Sequence, residues 1–125
     1  MESPYATPVD RHGVRILLLD AKGPLIASDR DAADVVGEVF SQQAGMVVIP
    51  IERLTPDFFV LRTRVAGEMI QKFVNYDIRV AILGDISAHV AASTALGDFV
   101  TESNRGAQVW FLADEVALDR KLAAG

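Results

Sequence analysis

Met46-Val47-Val48-Ile49-Pro50-Ile51 is apolar at every position, the pattern of a strand covered on both faces rather than one. Pro50 has no N–H to donate, so pairing is expected to weaken toward that end. Beyond it, Thr55-Pro56-Asp57 offers a capping hydroxyl, a preset φ and an acid beside free N–H groups, which predicts a turn or a short helical start. From Thr63 to about Asn75, Val65, Ala66, Met69, Ile70, Phe73 and Val74 recur on one stripe, while Arg64, Glu68, Gln71, Lys72 and Asn75 face away; this is an amphipathic helix. The four-residue spacings Arg64/Glu68 and Glu68/Lys72 predict two surface ion pairs, each worth roughly 0.3 kcal/mol. A second strand follows over Ile78 to Leu83 and is broken by Gly84-Asp85-Ile86-Ser87, since Gly, Asp and Ser favour turns. A third helix carries Leu96, Phe99 and Val100 on its inner face and ends before Gly106, and Val109-Trp110-Phe111-Leu112 is the last strand. Asp114 then caps a closing helix with Val116, Ala117, Leu118 and Leu122 inward.

Toward the N-terminus, Gly45 supplies the left-handed stop of a helix that Ser28 or Asp29 caps. Its inner positions are Ala32, Val35, Val36, Val39 and Phe40. The apolar runs Val14 to Leu19 and Pro24 to Ala27 flank Asp20-Ala21-Lys22-Gly23, whose Asp and Gly suit a reverse turn, and this predicts a hairpin. Residues 1–12 form a loose or strand-like lead-in. The order is therefore β-β-α-β-α-β-α-β-α: an α/β single domain over 1–125, with a 14–122 core. About five strands form a mixed sheet and four helices lie against it.

The chain has 125 residues and a net charge of -5. That length suits one domain with a core of its own. The acidic balance argues against a general nucleic-acid binder, because phosphate affinity rests on clustered Lys and Arg. No apolar run approaches the roughly 20 residues of a membrane helix, and Met1 to His12 lack the basic start and apolar stretch of a secretory signal. Cytoplasmic residence is the default expectation. Zero cysteine excludes disulfides and thiolate chemistry and fits a reducing compartment. No cofactor loop is present. His12 and His89 are far apart with no acid at metal-helix spacing, so no metal site is expected. No catalytic residue is assigned: Ser87, His89 and Asp85 lie on one turn without a nucleophile elbow.

In order along the chain, Asp57-Phe58-Phe59, Ala66-Gly67-Glu68-Met69-Ile70-Gln71-Lys72-Phe73-Val74-Asn75-Tyr76, Ala81-Ile82-Leu83-Gly84-Asp85-Ile86-Ser87, Asp98-Phe99-Val100 and Glu102-Ser103-Asn104-Arg105-Gly106 resemble the bacterial family of domain of unknown function 4180. The resemblance runs over roughly residues 14 to 122. It implies a small stand-alone bacterial protein and assigns no reaction. The element order is also similar to that of STAS domains, found in sulfate transporters and anti-anti-sigma factors. There a strand, a loop and the next helix start present a Ser or Thr that a partner kinase phosphorylates. That resemblance puts Thr63 near the acceptor position, although the chain reads Leu61-Arg62-Thr63-Arg64 where the family has Asp-Ser-(Ser/Thr)-Gly. Phosphate there would sit at a helix N-terminus between Arg62 and Arg64; the alternative is that Thr63 only caps the helix.

The remaining candidates each have two readings. Asp85 and Ser87 stand at the carboxyl end of a parallel strand, where α/β folds place ligand sites, and are also ordinary turn and cap residues. Glu68 suits an acid or base in a cleft, or an exposed ion-pair face. Ser103, Asn104 and Arg105 offer hydroxyl, amide and guanidinium together, or simply a helix terminus. The function expected is a non-enzymatic regulatory or protein-interaction module of STAS-like architecture, with a protein partner or a second copy of itself as a homodimer. The alternative is a small-molecule binding protein, or an enzyme using Glu68 or Asp85.

Overall fold

The computed structural model describes residues 4–124. Its sheet is built from β1 (Ala6–Arg11), β2 (Val14–Leu19), β3 (Met46–Pro50), β4 (Arg79–Leu83) and β5 (Val109–Leu112) in the spatial order of the sequence. β1 is antiparallel to β2, and β2 through β5 are parallel. The helices are α1 (Asp29–Ser41), α2 (Val65–Asn75), α3 (Ser87–Ala92), α4 (Thr94–Arg105) and α5 (Glu115–Ala124). Every crossover steps the sheet the same way, and right-handed connections then deliver successive helices to the same face.

Alternation along the strands sorts the core into two clusters. Leu17, Leu19, Val47, Ile49, Val80, Ile82, Val109 and Phe111 meet Val36, Val39, Met69, Phe73 and Leu96 of the helices on one face. Ile16, Met46, Val48, Ala81 and Trp110 meet Leu118 and Leu122 of α5 on the other. Residues 46–49 are therefore buried on both faces, as the unbroken apolar run predicts.

The opening hairpin lies one segment earlier than expected. β1 and β2 join through His12 and Gly13, both with positive φ (51° and 79°), the backbone that a two-residue hairpin requires. Strand β1 thus occupies half of the lead-in, while residues 1–3 lie outside the described residues. Pro24 to Ala27 is not a strand: Ile26 makes a single parallel bridge to Leu54. Ser28 caps α1, accepting from Asp31 N–H at 3.1 Å while the Asp31 carboxylate accepts from Ala27 and Ser28. The left-handed residue after α1 is Gln43 (φ 55°), not Gly45. Phe40 turns outward to stack edge-on with Tyr76 at 5.6 Å. The expected third helix is two, because Ser93 leaves the helical conformation and its hydroxyl caps α4 through Leu96 N–H at 3.1 Å. Asp114 caps α5 at Ala117 N–H as expected, but Val116 is 59% exposed.

Both sheet edges are blunted. The ladder alternates outward from the Tyr5 to Asp20 bond, so Ala6, Pro8 and Asp10 point their backbone groups outward from β1. Pro8 has no N–H to offer there. At the other edge, Asn104 fills the place of a sixth strand. Phe111 N–H donates to Asn104 Oδ1 at 2.7 Å, and Asn104 Nδ2 donates to Phe111 O at 3.1 Å.

Candidate functional site

The connection from β3 to α2 winds through three 3₁₀ turns, Ile51–Arg53, Pro56–Phe59 and Leu61–Thr63. Pro56 opens the second, and Thr55 makes no side-chain cap there, contrary to expectation. Phe58 and Phe59 are buried and anchor the loop to the core. Arg53, the buried charge among the described residues, donates to the carbonyls of Pro24, Asp20 (2.8 Å) and Tyr5 (3.5 Å). One guanidinium so ties the β3 end to the β2–α1 connection and the start of β1. Gly23 is required beside it, because a Cβ there would lie 2.5 Å from Arg53 Cζ.

Helix α2 begins at Val65, two residues later than the stripe predicts, because Arg64 is left-handed (φ 66°). Thr63 is exposed, but its hydroxyl is engaged. Oγ1 lies 2.7 Å from Asp57 O and 2.8 Å from Val60 O as a donor, and accepts from Val65 N–H at 3.3 Å. Thr63 is thus more than a cap: it closes the 57–63 turn. Arg62 and Arg64 flank it, both exposed. Beside the turn a groove of about 370 Å³ opens toward α3, with Val60, Leu61 and Arg62 on one side and His89 and Ala92 on the other. The His89 ring stacks on Phe59, centroids 4.3 Å apart and planes 14° off parallel.

Asp85 and Ser87 follow β4 at the same end of the sheet. Asp85 Oδ1 accepts from Ser87 N–H at 2.9 Å, an Asx turn that starts α3. Hydrogen bonds from Ser87, side chain first and then backbone, hold the Asp85 carboxyl below its ordinary pKa. Ser103, Asn104 and Arg105 close α4 at the far end of that helix. Its twelve residues span about 18 Å, so the two groups do not form one site. Asn104 is committed to Phe111 as described, its carbonyl accepts from Lys121 at 2.8 Å, and Arg105 pairs with Glu102 at 3.2 Å in the open.

Glu68 is exposed on α2 and lines a broad depression of about 590 Å³ with Gln71 and Asn75. Neither expected ion pair of α2 forms. Lys72 instead reaches Asp29 at the start of α1, 2.9 Å away, which links the two helices. His12 pairs with Asp119 at 2.9 Å, and no three His, Asp or Glu side chains among the described residues converge to hold a metal ion. Sequence reasoning passed over Arg53, and it weighed His89 only as a metal ligand or triad member, not as a ring stacked on Phe59. The pairings of Arg53 span 29 to 48 residues, with no local signal.

Among the described residues no helix is long and apolar enough to cross a membrane. No curated protein and no solved structure matches the chain. A family model matches residues 11–122 of the chain. With nearly the whole described fold inside that match, the chain belongs to the family described as Domain of unknown function (DUF4180).

Proposed function

We propose that the protein is a non-enzymatic regulatory module of STAS-like architecture. In this reading it docks a protein partner on the surface between the 51–64 loop and α3, with Thr63 as its switch. The observation that carries the reading is the engagement of the Thr63 hydroxyl by Asp57 O and Val60 O. A phosphate on Oγ1 removes the donated hydrogen and sets negative oxygens against two carbonyls, so the 57–63 turn must open. Arg62, Arg64 and the first N–H groups of α2 stand ready to take the new charge. The turn forms one wall of the groove, so its opening changes the surface that a partner meets. Val60, 38% exposed, gives that wall an apolar contact point.

An enzymatic reading through Glu68 or Asp85 lacks comparable support: Asp29, which shares the Glu68 depression, is paired with Lys72, and Asp85 is engaged by Ser87 in an exposed turn. A homodimer would use a helix face or the outward backbone groups of β1, since Pro8 and Asn104 blunt the two sheet edges without closing them. The test is native mass spectrometry of the untagged protein from its host, followed by capture with variants. A bound protein, or added mass of one phosphate at Thr63, is expected. Val60→Glu should release the partner, and Thr63→Glu should change its affinity at least tenfold. Partner binding unchanged by Thr63→Glu would end the switch reading.

A further inference from the structure

We infer that Arg64 is the strained hinge of a latched helix: when the Thr63 hydroxyl lets go, the 3₁₀ turn Leu61–Thr63 joins α2 as one helix over 61–75 and carries one wall of the groove with it. This deepens the Thr63 reading and rests on it for the trigger, whereas the hinge stands on the backbone itself. Two right-handed segments meet here, Leu61–Thr63 and Val65–Asn75, and Arg64 alone interrupts them at φ 66° and ψ 4°. A residue that caps a helix N-terminus ordinarily lies in the extended region. In the left-handed region a side chain's Cβ crowds the carbonyl that follows it. Arg64 has neither glycine's freedom nor the short polar side chain with which Asn or Asp tolerates that backbone.

The latch leaves several groups idle that a joined helix would use. The N–H groups of Ala66 and Gly67 find no acceptor among the described residues, although Ala66 is buried, and Val65 N–H has only Thr63 Oγ1 at 3.3 Å. With Arg64 right-handed, these donors meet the carbonyls of Leu61, Arg62 and Thr63 in ordinary helical bonds. Leu61 precedes Val65 by one helical repeat and extends the apolar stripe. Arg64 stands in the same relation to Glu68, so the ion pair that the latched state lacks becomes available. Against this stand the hydroxyl bonds from Thr63 to Asp57 O and Val60 O, and the buried rings of Phe58 and Phe59, which hold the start of the loop in place. A left-handed arginine is disfavoured roughly tenfold and a net hydroxyl–carbonyl bond is worth about fivefold, so loss of the hydroxyl is enough to change the balance. Val60, extended at ψ 97°, is the joint at the other end. A negative group on Thr63 then falls in the first turn of the joined helix, where acids are favoured; phosphate both breaks the latch and holds the new state.

The test is NMR of the full chain, reading ¹³Cα and ¹³Cβ shifts and amide exchange around the hinge in wild type, Thr63→Val, Thr63→Glu, Thr63→Ser and the double variant Thr63→Val with Arg64→Gly. Valine keeps the shape of threonine and removes its hydrogen bonds. Thr63→Val should move residues 61–64 to helical shifts and slow exchange of the Ala66 and Gly67 N–H groups at least tenfold. Thr63→Glu should go further, and Thr63→Ser, which keeps the hydroxyl, should match wild type. Adding Arg64→Gly should bring the wild-type shifts back, because glycine takes left-handed backbone without strain and weakens a helix. Residues 61–64 that keep wild-type shifts in both Thr63→Val and Thr63→Glu, or turn to random coil, would overturn the proposal, as would a double variant that stays helical. Partner affinity that responds to Thr63→Glu while 61–64 never become helical would end the joined helix and leave the Thr63 switch standing. A joined helix with partner affinity unchanged would uphold the hinge and end the switch.

Discussion

Replacing Asn104 with alanine tests whether this side chain serves as a surrogate strand rather than as a ligand group. The substitution removes the bonds at 2.7 and 3.1 Å to the N–H and carbonyl of Phe111. Each such bond contributes a net 0.5 to 1.5 kcal/mol, so the loss is about 1 to 3 kcal/mol. Water reaches part of the edge, which favours the middle, about 2 kcal/mol. For a domain of this size that lowers Tm by roughly 6 to 10 °C. The assay is urea unfolding followed by the fluorescence of Trp110, the single tryptophan, whose side chain lies on the opposite face of β5 from Phe111. Asn104→Asp adds a signed control. Its oxygen still accepts from Phe111 N–H, but as a carboxylate it faces Phe111 O with no hydrogen. It should therefore unfold more easily than wild type at neutral pH while keeping the Phe111 N–H bond that alanine loses. Arg105→Ala should be silent, because its pair with Glu102 is exposed. An Asn104→Ala protein that unfolds within about 0.5 kcal/mol of wild type at unchanged m-value would refute the surrogate-strand account.

Gly84→Ala should destabilise by about 2 to 4 kcal/mol, combining a φ of +146° with a Cβ placed 2.5 Å from Ile51 Cγ1; in a double-mutant cycle Ile51→Ala should recover only the packing part. Arg53→Met leaves the carbonyls of Asp20, Tyr5 and Pro24 without their shared donor, and a loss of about 2 to 4 kcal/mol is expected by chemical denaturation, with hydrogen exchange rising first in the 20–28 connection. Asp31 carries a lowered pKa, chiefly through the Ala27 N–H and then that of Ser28 against some desolvation. Its contribution is therefore complete above the unfolded carboxylate range near pH 4 and lost as pH falls through the lower folded value. Asp31→Ala should cost about 1 kcal/mol at pH 7 and progressively less as the pH is lowered through the folded-state titration of the carboxyl, read from paired unfolding curves.

Strands β3, β4 and β5 were legible because burial on two faces demands unbroken apolar runs, and such runs are short and sharply bounded. The hairpin was not. Pro8 argues against a strand by local rules, while on an edge its missing N–H is an asset; and Asp20 to Gly23 has the better turn composition. What holds that segment in a turn without a strand after it is Arg53, some thirty residues away. The split between α3 and α4 rests on a single serine that leaves the helix to cap it. At the candidate site, the position of Thr63 between β3 and α2 follows from element order. The return of its hydroxyl onto Asp57 and Val60 does not, since it depends on two consecutive 3₁₀ turns. Asn104 carries a similar lesson: amide, hydroxyl and guanidinium side by side suggest a ligand corner, yet the partner is a backbone unit seven residues on.

The sequential strand order bears on how the protein is made. Each strand after β1 finds its neighbour already present as it leaves the ribosome, one hairpin or one helical crossover earlier in the chain, so the sheet can assemble during synthesis without waiting for distant segments. The exception is the last helix. Until Glu115 to Leu122 emerges, Ile16, Met46, Ala81 and Trp110 stay bare on the far face, and Arg11 and His12 lack the carboxylates of Glu115 and Asp119. A nascent chain halted before that point displays an apolar surface to chaperones and proteases, so α5 decides whether the far face of the sheet meets water or a partner helix.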